Sequence, residues 1–412
     1  MTEQTKQTES TFAGLGINAS ILSVLEILKL ETPTPIQAKS IPVVLSGQDL
    51  IGVAQTGTGK TFAFGIPMIE RLMLTSGRGL ILLPTRELAS QVDENLKKVG
   101  SRLGLRTAAL IGGEAMGQQI QNIKRNPHIV VATPGRLIDH LKRGWLRLND
   151  VNVLVLDEAD RMLDMGFAPQ LEEIMKRLPK ERQTVLFSAT MPREILKLAA
   201  TYMKSPVHIE IAPSGTTVDL VDQEMHVIRK ENKHSHLEKI LNEYAGSVLV
   251  FTRTKHGARS LARNLGYSGH KVAEIHSNLS FNQRKESMAG FKSKKYRILI
   301  ATDIAARGID VVGIELVVNY DLPDNSEDYV HRIGRTARAG SMGKAISFAT
   351  PSQRSDISSI ERVINKKLNL TEFTPLERAN IRPTFSRRGR VSSFGASSAP
   401  RFRPGRPGRR RR

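Results

Sequence analysis

Two adjacent acids, Asp157 and Glu158, follow the apolar run Val153-Leu154-Val155-Leu156, so they emerge where a buried strand would end. In an open α/β sheet, ligands sit in the crevice beyond the carboxyl ends of the strands, where such charge would meet a metal ion or a phosphate. A second stretch complements the acids. Ala54-Gln55-Thr56-Gly57-Thr58-Gly59-Lys60-Thr61 comes after Leu50-Ile51-Gly52-Val53 and before a helical pattern, which is the setting of a phosphate-binding loop. Gly57 and Gly59 let backbone N–H groups close on phosphate oxygens, Lys60 adds a cation, Thr61 offers Mg²⁺ a hydroxyl, and Asp157 would hold the same ion through water. Glu158 is left over, a carboxylate beside the metal that can orient or deprotonate an attacking water. Ala54 stands where the strict pattern has Gly. The plainer alternative, a helix N-terminus with no ligand, leaves the acid pair unexplained.

Such residues need a rigid sheet to position them, and the chain alternates accordingly. Apolar runs at 50–53, 80–83, 129–132, 153–156, 184–187 and 207–211 are separated by helical stretches, which predicts a parallel sheet with helices on both faces. Polar clusters follow several of these runs: Pro84-Thr85-Arg86-Glu87, Gly112-Gly113, Thr133-Pro134-Gly135-Arg136 and Ser188-Ala189-Thr190. Singly each reads as a strand-to-helix turn; together they line one rim of the sheet. Before the sheet, Ile21, Leu22, Leu25 and Leu28 predict an amphipathic helix, followed by the rigid turn Thr32-Pro33-Thr34-Pro35-Ile36-Gln37. Gln37, with a donor and an acceptor, could read the edge of adenine, with Phe12 free to stack on the ring. The alternative is a capped helix after a proline turn.

Residues 212–221 turn small and polar, and are read as a linker between domains spanning 12–211 and 222–369. The second domain repeats the rhythm, with runs at 224–228, 248–251, 271–275, 297–301, 316–319 and 345–348, but has no Gly-Lys-Thr loop. It supplies cations instead. In His331-Arg332-Ile333-Gly334-Arg335-Thr336-Ala337-Arg338, Arg335 and Arg338 are three apart and would share a helix face. Facing a triphosphate they would act as arginine fingers; facing nothing they would be a basic helix surface or an RNA contact.

Composition narrows the partners. Net charge is +21, and the eleven arginines of 381–412, a stretch with no Lys, Asp or Glu, leave +10 on the rest. That excess suggests a polyanion, nucleic acid before an anionic membrane. Aromatics are only 5%, so phosphate contacts should outweigh base stacking. No cysteine is present, which excludes disulfides and thiolate metal sites. Residues 1–10 are polar with no apolar signal core, residues 1–11 are expected to be disordered, and no run approaches a membrane span; a cytoplasmic protein is expected. From 370 onward periodicity is lost, and Arg, Gly and Pro with scattered Phe predict a disordered tail suited to loose RNA binding or to docking a protein.

Taken in order, these motifs resemble those of DEAD-box ATP-dependent RNA helicases over about residues 12–365, and the form of 331–338 with the short Arg-rich tail resembles the bacterial RhlE-like group. The resemblance implies two tandem RecA-like domains with ATP between them and single-stranded RNA crossing the opposite rim. It implies that Phe12 and Gln37 select adenine, that Ala54 to Thr61 hold phosphates and Mg²⁺ with Asp157, and that Glu158 activates water. It further implies a ribose contact from Asp310, fingers from Arg335 and Arg338, and coupling of hydrolysis to strand separation through Ser188, Thr190 and His331. RNA-backbone contacts would come from Arg86, Gly113, Thr133, Arg136, Arg253, Arg284 and Thr302. Three departures stand out: Lys29-Leu30 where relatives commonly have Gly-aromatic, Ala337 where Gly is more widespread, and a tail with no folded RNA-binding domain expected.

The expected activity is ATP-driven domain closure that bends one RNA strand and releases the other, in a monomer acting on RNA, with ribosomal precursors or RNA-decay assemblies as possible settings. Two rivals remain at this stage: an ATP-gated RNA clamp or annealing chaperone that relies on its tail, and a DNA translocase on the same plan.

Overall fold

Strands buried on both faces read as unbroken apolar runs, and two sets of such runs build this fold. The computed structural model describes residues 11–54, 57–211, 221–306, 311, 313–336 and 343–374. The first sheet comprises β1 (Leu50–Val53), β2 (Arg78–Leu82), β3 (Thr107–Leu110), β4 (Ile129–Ala132), β5 (Val151–Leu156), β6 (Gln183–Ser188) and β7 (Val207–Glu210), in the order β3-β4-β2-β5-β6-β1-β7. The second comprises β8 (Val221–Val227), β9 (Val248–Phe251), β10 (Val272–Ile275), β11 (Ile298–Ala301), β12 (Leu316–Asn319), β13 (Gly343–Ala349) and β14 (Asn369–Glu372), in the order β10-β11-β9-β12-β13-β8-β14. Every pairing is parallel.

Each sheet has an apolar cluster on either face. Ile81, Val131, Val155 and Phe187 point to one side of the first sheet, and Leu80, Val130, Leu154 and Leu186 to the other. The second sheet divides likewise, with Leu249 and Val317 on one side and Val248 and Val318 on the other. Alternate residues of one strand thus anchor two helical layers, and the loops at the strand ends are free to carry polar chemistry. Among the described residues no helix is long and apolar enough to cross a membrane.

Three boundaries differ from expectation. Val221, assigned to the linker, begins β8. β14 extends the second sheet to Glu372, inside the stretch expected to be disordered from 370; all four of its residues are exposed, so it lacks an apolar signature. β3 was not anticipated either, because Thr107-Ala108-Ala109-Leu110 is an edge strand buried only at alternate positions. Both sheets lie within one compact unit, Met1–Glu377.

Candidate functional site

β5 ends at Leu156 and the chain turns sharply through the acid pair. Glu158 holds a left-handed backbone, φ 51° and ψ 50°, which is unusual for a residue with a side chain and points to a constrained site. Its side chain is buried, and neither carboxyl oxygen accepts a hydrogen bond; the nearest cation is Arg161 Nε, 3.6 Å from Oε2. Asp157 is also buried, with Oδ1 accepting the Glu158 N–H at 2.9 Å and lying 3.6 Å from Lys60 Nζ. Burial pushes the Asp157 carboxyl up to about 6, Lys60 pulls it down, and Glu158 adds repulsion.

Lys60 comes from the loop after β1, whose neighbours in the sheet are β6 and β7. Its ammonium donates to the Ala54 carbonyl at 3.1 Å, so the loop curls over its own lysine. Gly57 and Gly59 sit at φ 85° and 94°. A Cβ on Gly59 would lie 2.5 Å from Gln37 Nε2, so only glycine fits. Thr61 is half-buried in the first turn of helix Lys60–Leu74, and Thr58 lies in the turn before it. Gln55 and Thr56 lie outside the described residues.

Gln37 serves the loop directly. Its Oε1 accepts the Thr34 N–H at 2.9 Å and its Nε2 donates to the Gly59 carbonyl at 3.0 Å. It is the third residue of helix Pro35–Leu45 and closes a capping box, so the capped-helix reading holds. Phe12 requires a correction. It is 4% exposed and packs in the apolar cluster with Ile21, Leu25 and Ile36, so it is not free to stack on a ring.

Asp160 is the hub that sequence reasoning missed. Its Oδ2 accepts the N–H groups of Ala189 and Thr190 and the Thr190 hydroxyl at 3.1, 2.9 and 3.0 Å, and its own N–H meets Ser188 Oγ at 3.3 Å. The loop after β6 is thereby bound to the loop after β5. Burial opposes ionisation of Asp160, but Lys60, Arg161, His331 and the Thr190 N–H hold its carboxyl below the usual range. His331 belongs to the second sheet's side, so the field of one half of the molecule reaches the acids of the other.

On that side, Arg335 is buried and its Nε donates to the His331 carbonyl at 3.2 Å. Helix Ser326–Ile333 ends before it, so Arg335 lies in the following turn, not on a helix face as expected. Arg332 is the second missed residue. It clamps Asp303 with two bonds of 2.5 and 2.7 Å, meets Asn319 Oδ1 at 3.2 Å, and lies over the Phe251 ring at 5.0 Å. A cavity of about 10 Å³ joins Arg161 to Asp303, Asp328, His331, Arg332 and Arg335. Asp310 and Arg338 lie outside the described residues.

The residues fit a magnesium-bound nucleoside triphosphate. Gly59 forms a cradle that a Cβ would fill, Glu158 presents two buried oxygens without donors, and Asp157 is a carboxylate that burial disfavours and a cation would favour. Among the described residues no three His, Cys, Asp or Glu side chains cluster as a metal cage. Mg²⁺ suits this arrangement, since it takes one or two carboxylates and otherwise keeps water and phosphate oxygens.

A second region lies along the same rim. A cleft of about 510 Å³ is lined by Arg86, Gly113, Thr133 and Arg136, which follow β2, β3 and β4, and by Ser277, Leu279 and Arg284 after β10. The residues expected to hold the nucleotide follow β1, β5 and β6. Sheet order thus separates the two groups of residues along one carboxyl edge, so those expected to contact RNA and those expected to hold ATP share a rim. Arg284 is ion-paired with Glu87 at 2.7 Å across the two sheets' sides. Arg253 and Thr302 do not line the cleft. They follow β9 and β11, the two strands that succeed β10 in the sheet order, and Arg253 is engaged with Asp324 at 3.1 Å and the Leu322 carbonyl at 3.2 Å.

Comparison with known proteins agrees with this geometry. The DEAD/DEAH box helicase family matches residues 34–198 and the helicase conserved C-terminal domain matches 232–340. The chain is 42% identical over 373 residues to the DEAD-box ATP-dependent RNA helicase CshA of Geobacillus kaustophilus, covering 90% of this chain and 80% of the relative. It is 41% identical to CshA of Bacillus subtilis over 90% of this chain and 75% of that protein. S. cerevisiae Dbp5 bound to RNA and ADP BeF3 superposes with a TM-score of 0.79 at 31% identity, covering 88% of this chain and 95% of Dbp5. Mss116p bound to ssRNA and AMP-PNP gives a TM-score of 0.82 at 28% identity, over 91% and 82% of the two chains. The curated relatives carry the CshA name, so the RhlE-like grouping is not supported. The chain belongs to the DEAD-box ATP-dependent RNA helicase family, with two tandem RecA-like sheets.

Proposed function

We propose that this chain is an RNA-dependent ATPase that separates short RNA duplexes by holding ATP at the β1, β5 and β6 strand ends and one RNA strand at the β2, β3, β4 and β10 ends. The observation that carries this reading is Glu158: a buried carboxylate without a hydrogen-bond donor, held in a strained backbone beside Lys60 and Asp157. Lys60 and the glycine-rich loop bind the phosphates, and Gln37 fixes that loop. Asp157 and Thr61 would hold Mg²⁺, which supplies charge neutralisation at the phosphates when bound. Glu158 accepts a proton from the attacking water and orients it, and Arg335 offers its guanidinium to the developing phosphoryl charge.

Coupling runs through Asp160. Its bonds to Ala189 and Thr190 and the field of His331 join the nucleotide acids to both halves of the molecule. A change at the phosphates therefore reaches the loop after β6 and the helix that carries His331 without passing through the core. RNA binding rests on backbone contacts from Arg86, Gly113, Thr133, Arg136 and Arg284, with Arg253 and Thr302 extending the track along β9 and β11.

Glu158→Gln keeps the shape and removes the base. ATP turnover is expected to fall by about 10²–10⁴-fold while RNA binding in the presence of ATP is retained or tightened. Turnover within twofold of wild type, measured by phosphate release, removes Glu158 from this role. Matched single-stranded RNA and DNA decide the substrate, because stimulation by DNA equal to that by RNA favours a translocase.

A further inference from the structure

One wall of the RNA cleft is tied together from behind by two polar side chains. Gln119, on helix Met116–Lys124, and His140, on helix Pro134–Lys142, are both 0% exposed. Gln119 Nε2 donates to the Ile111 carbonyl at 2.7 Å, and its Oε1 faces His140 Nε2 at 2.9 Å. An amide oxygen only accepts, so His140 Nε2 carries a proton, and a second proton on the buried, unpartnered Nδ1 would be costly, which favours the neutral ring. Burial and then Arg136 hold its pKa below the usual range, in agreement. Trp145 packs against the ring at 5.6 Å, and Nδ1 is buried with no hydrogen-bond partner.

The location gives the pair its meaning. Ile111 immediately precedes Gly112 and Gly113, and the His140 helix begins with Pro134, Gly135 and Arg136, all of the cleft wall except Pro134. Two hydrogen bonds therefore run from the backbone at the end of β3 to the helix that presents Arg136. On the cleft side Arg136 Nη1 donates to the Glu114 carbonyl at 3.3 Å, closing the loop. An apolar pair would fill the same space without fixing a spacing, since hydrophobic contact is not directional. It would also avoid the desolvation penalty of an unpaired Nδ1.

We propose that Gln119 and His140 are positioning residues for RNA binding, holding the Gly112–Gly113 loop and the first turn of helix Pro134–Lys142 at one spacing so that phosphates of a single strand meet both. This rests on the reading of the cleft as the RNA site.

The test uses the full chain, single-stranded oligouridylate and ATP hydrolysis followed against RNA concentration. His140→Gln places an amide N–H at the ε position and can still donate to Gln119, whereas the His140→Asn amide stops at the δ position and cannot reach. His140→Asn and Gln119→Leu are expected to raise the RNA concentration for half-maximal stimulation about tenfold, with kcat at saturating RNA and KM for ATP within about twofold; His140→Gln stays within about threefold of wild type. Equal RNA dependence in the Asn and Gln variants overturns the proposal, as does a parallel loss of kcat and both KM values. If Gln119→Leu does not fold, the two His140 variants decide. Arg136→Ala serves as the control for the underlying reading: if it leaves RNA dependence unchanged, the cleft is not the RNA site and both ideas fall together.

Discussion

Asp157 is held at a disadvantage that a bound cation would relieve. Burial pushes its carboxyl up to about 6 from an ordinary value of 3.8, and the attraction of Lys60 does not offset it. The folded chain therefore binds this proton more tightly than the unfolded chain. Between pH 3.8 and about 6 the folded state carries more protons, so this contribution to stability is full below 3.8 and is lost as pH rises through 6. The loss is up to about 3 kcal/mol. Without Mg²⁺ or nucleotide, the free energy of urea unfolding should show this falling component, and Asp157→Asn should lack it. Mg²⁺-nucleotide affinity should rise across the same window in the wild type only. Identical pH slopes in the two chains would separate Asp157 from the metal.

Among the elements, β14 depends most on a single cluster. Its four residues are exposed, and beyond its ladder to β8 it is held by Phe373, whose ring meets His236 at 4.5 Å and His226 at 5.4 Å. The two histidines share a proton across 2.9 Å, and His226 Nε2 faces Glu224 Oε2 at 3.0 Å, with Lys344 on the same carboxylate. Burial, with His226 and Lys239 adding to it, lowers His236 to about 4. The unfolded state then binds more protons between about 4 and 6.5, so this stabilisation is present above 6.5 and lost as pH falls through 4. Amide exchange at Phe373 and Thr374, which donate to the Val227 carbonyl, should accelerate on acidification beyond its intrinsic change, and His236→Gln should remove that excess. An unaltered excess in the variant would rule His236 out. β14 also shows why parts of the fold were hard to read: an edge strand buries too little to impose an apolar run, as at β3, whereas central strands such as β5 are apolar on both faces. At the candidate site, the positions of Lys60, Asp157 and Glu158 at a loop and a strand end were legible because these are local patterns. Asp160 and Arg332 were not, since their partners come from other strands, and Phe12 misled because an aromatic's neighbours cannot be read from its spacing.

At the scale of the whole molecule, several cations in or near the proposed RNA cleft are already partly engaged. Arg284 is paired with Glu87, Arg136 lies 3.8 Å from Asp139, and Arg253 is paired with Asp324. If the cleft takes RNA as proposed, a phosphate chain must compete for them, and the cleft should favour a correctly placed strand over any polyanion. The eleven arginines of 381–412 meet no acid within that stretch, and they carry about half of the net charge of +21. These residues lie outside the described part of the structure, but their charge alone sets an expectation. Removing 381–412 should weaken RNA binding and flatten the dependence of log K on log salt by about 0.7 for each phosphate the tail contacts. Stimulated ATP hydrolysis at saturating RNA should persist, because none of the nucleotide-site or cleft residues is touched. An unchanged salt slope would show that the globular part releases all the counterions. Loss of saturating activity would instead give the tail the leading role that an RNA clamp requires, so slope and plateau together separate added affinity from mechanism.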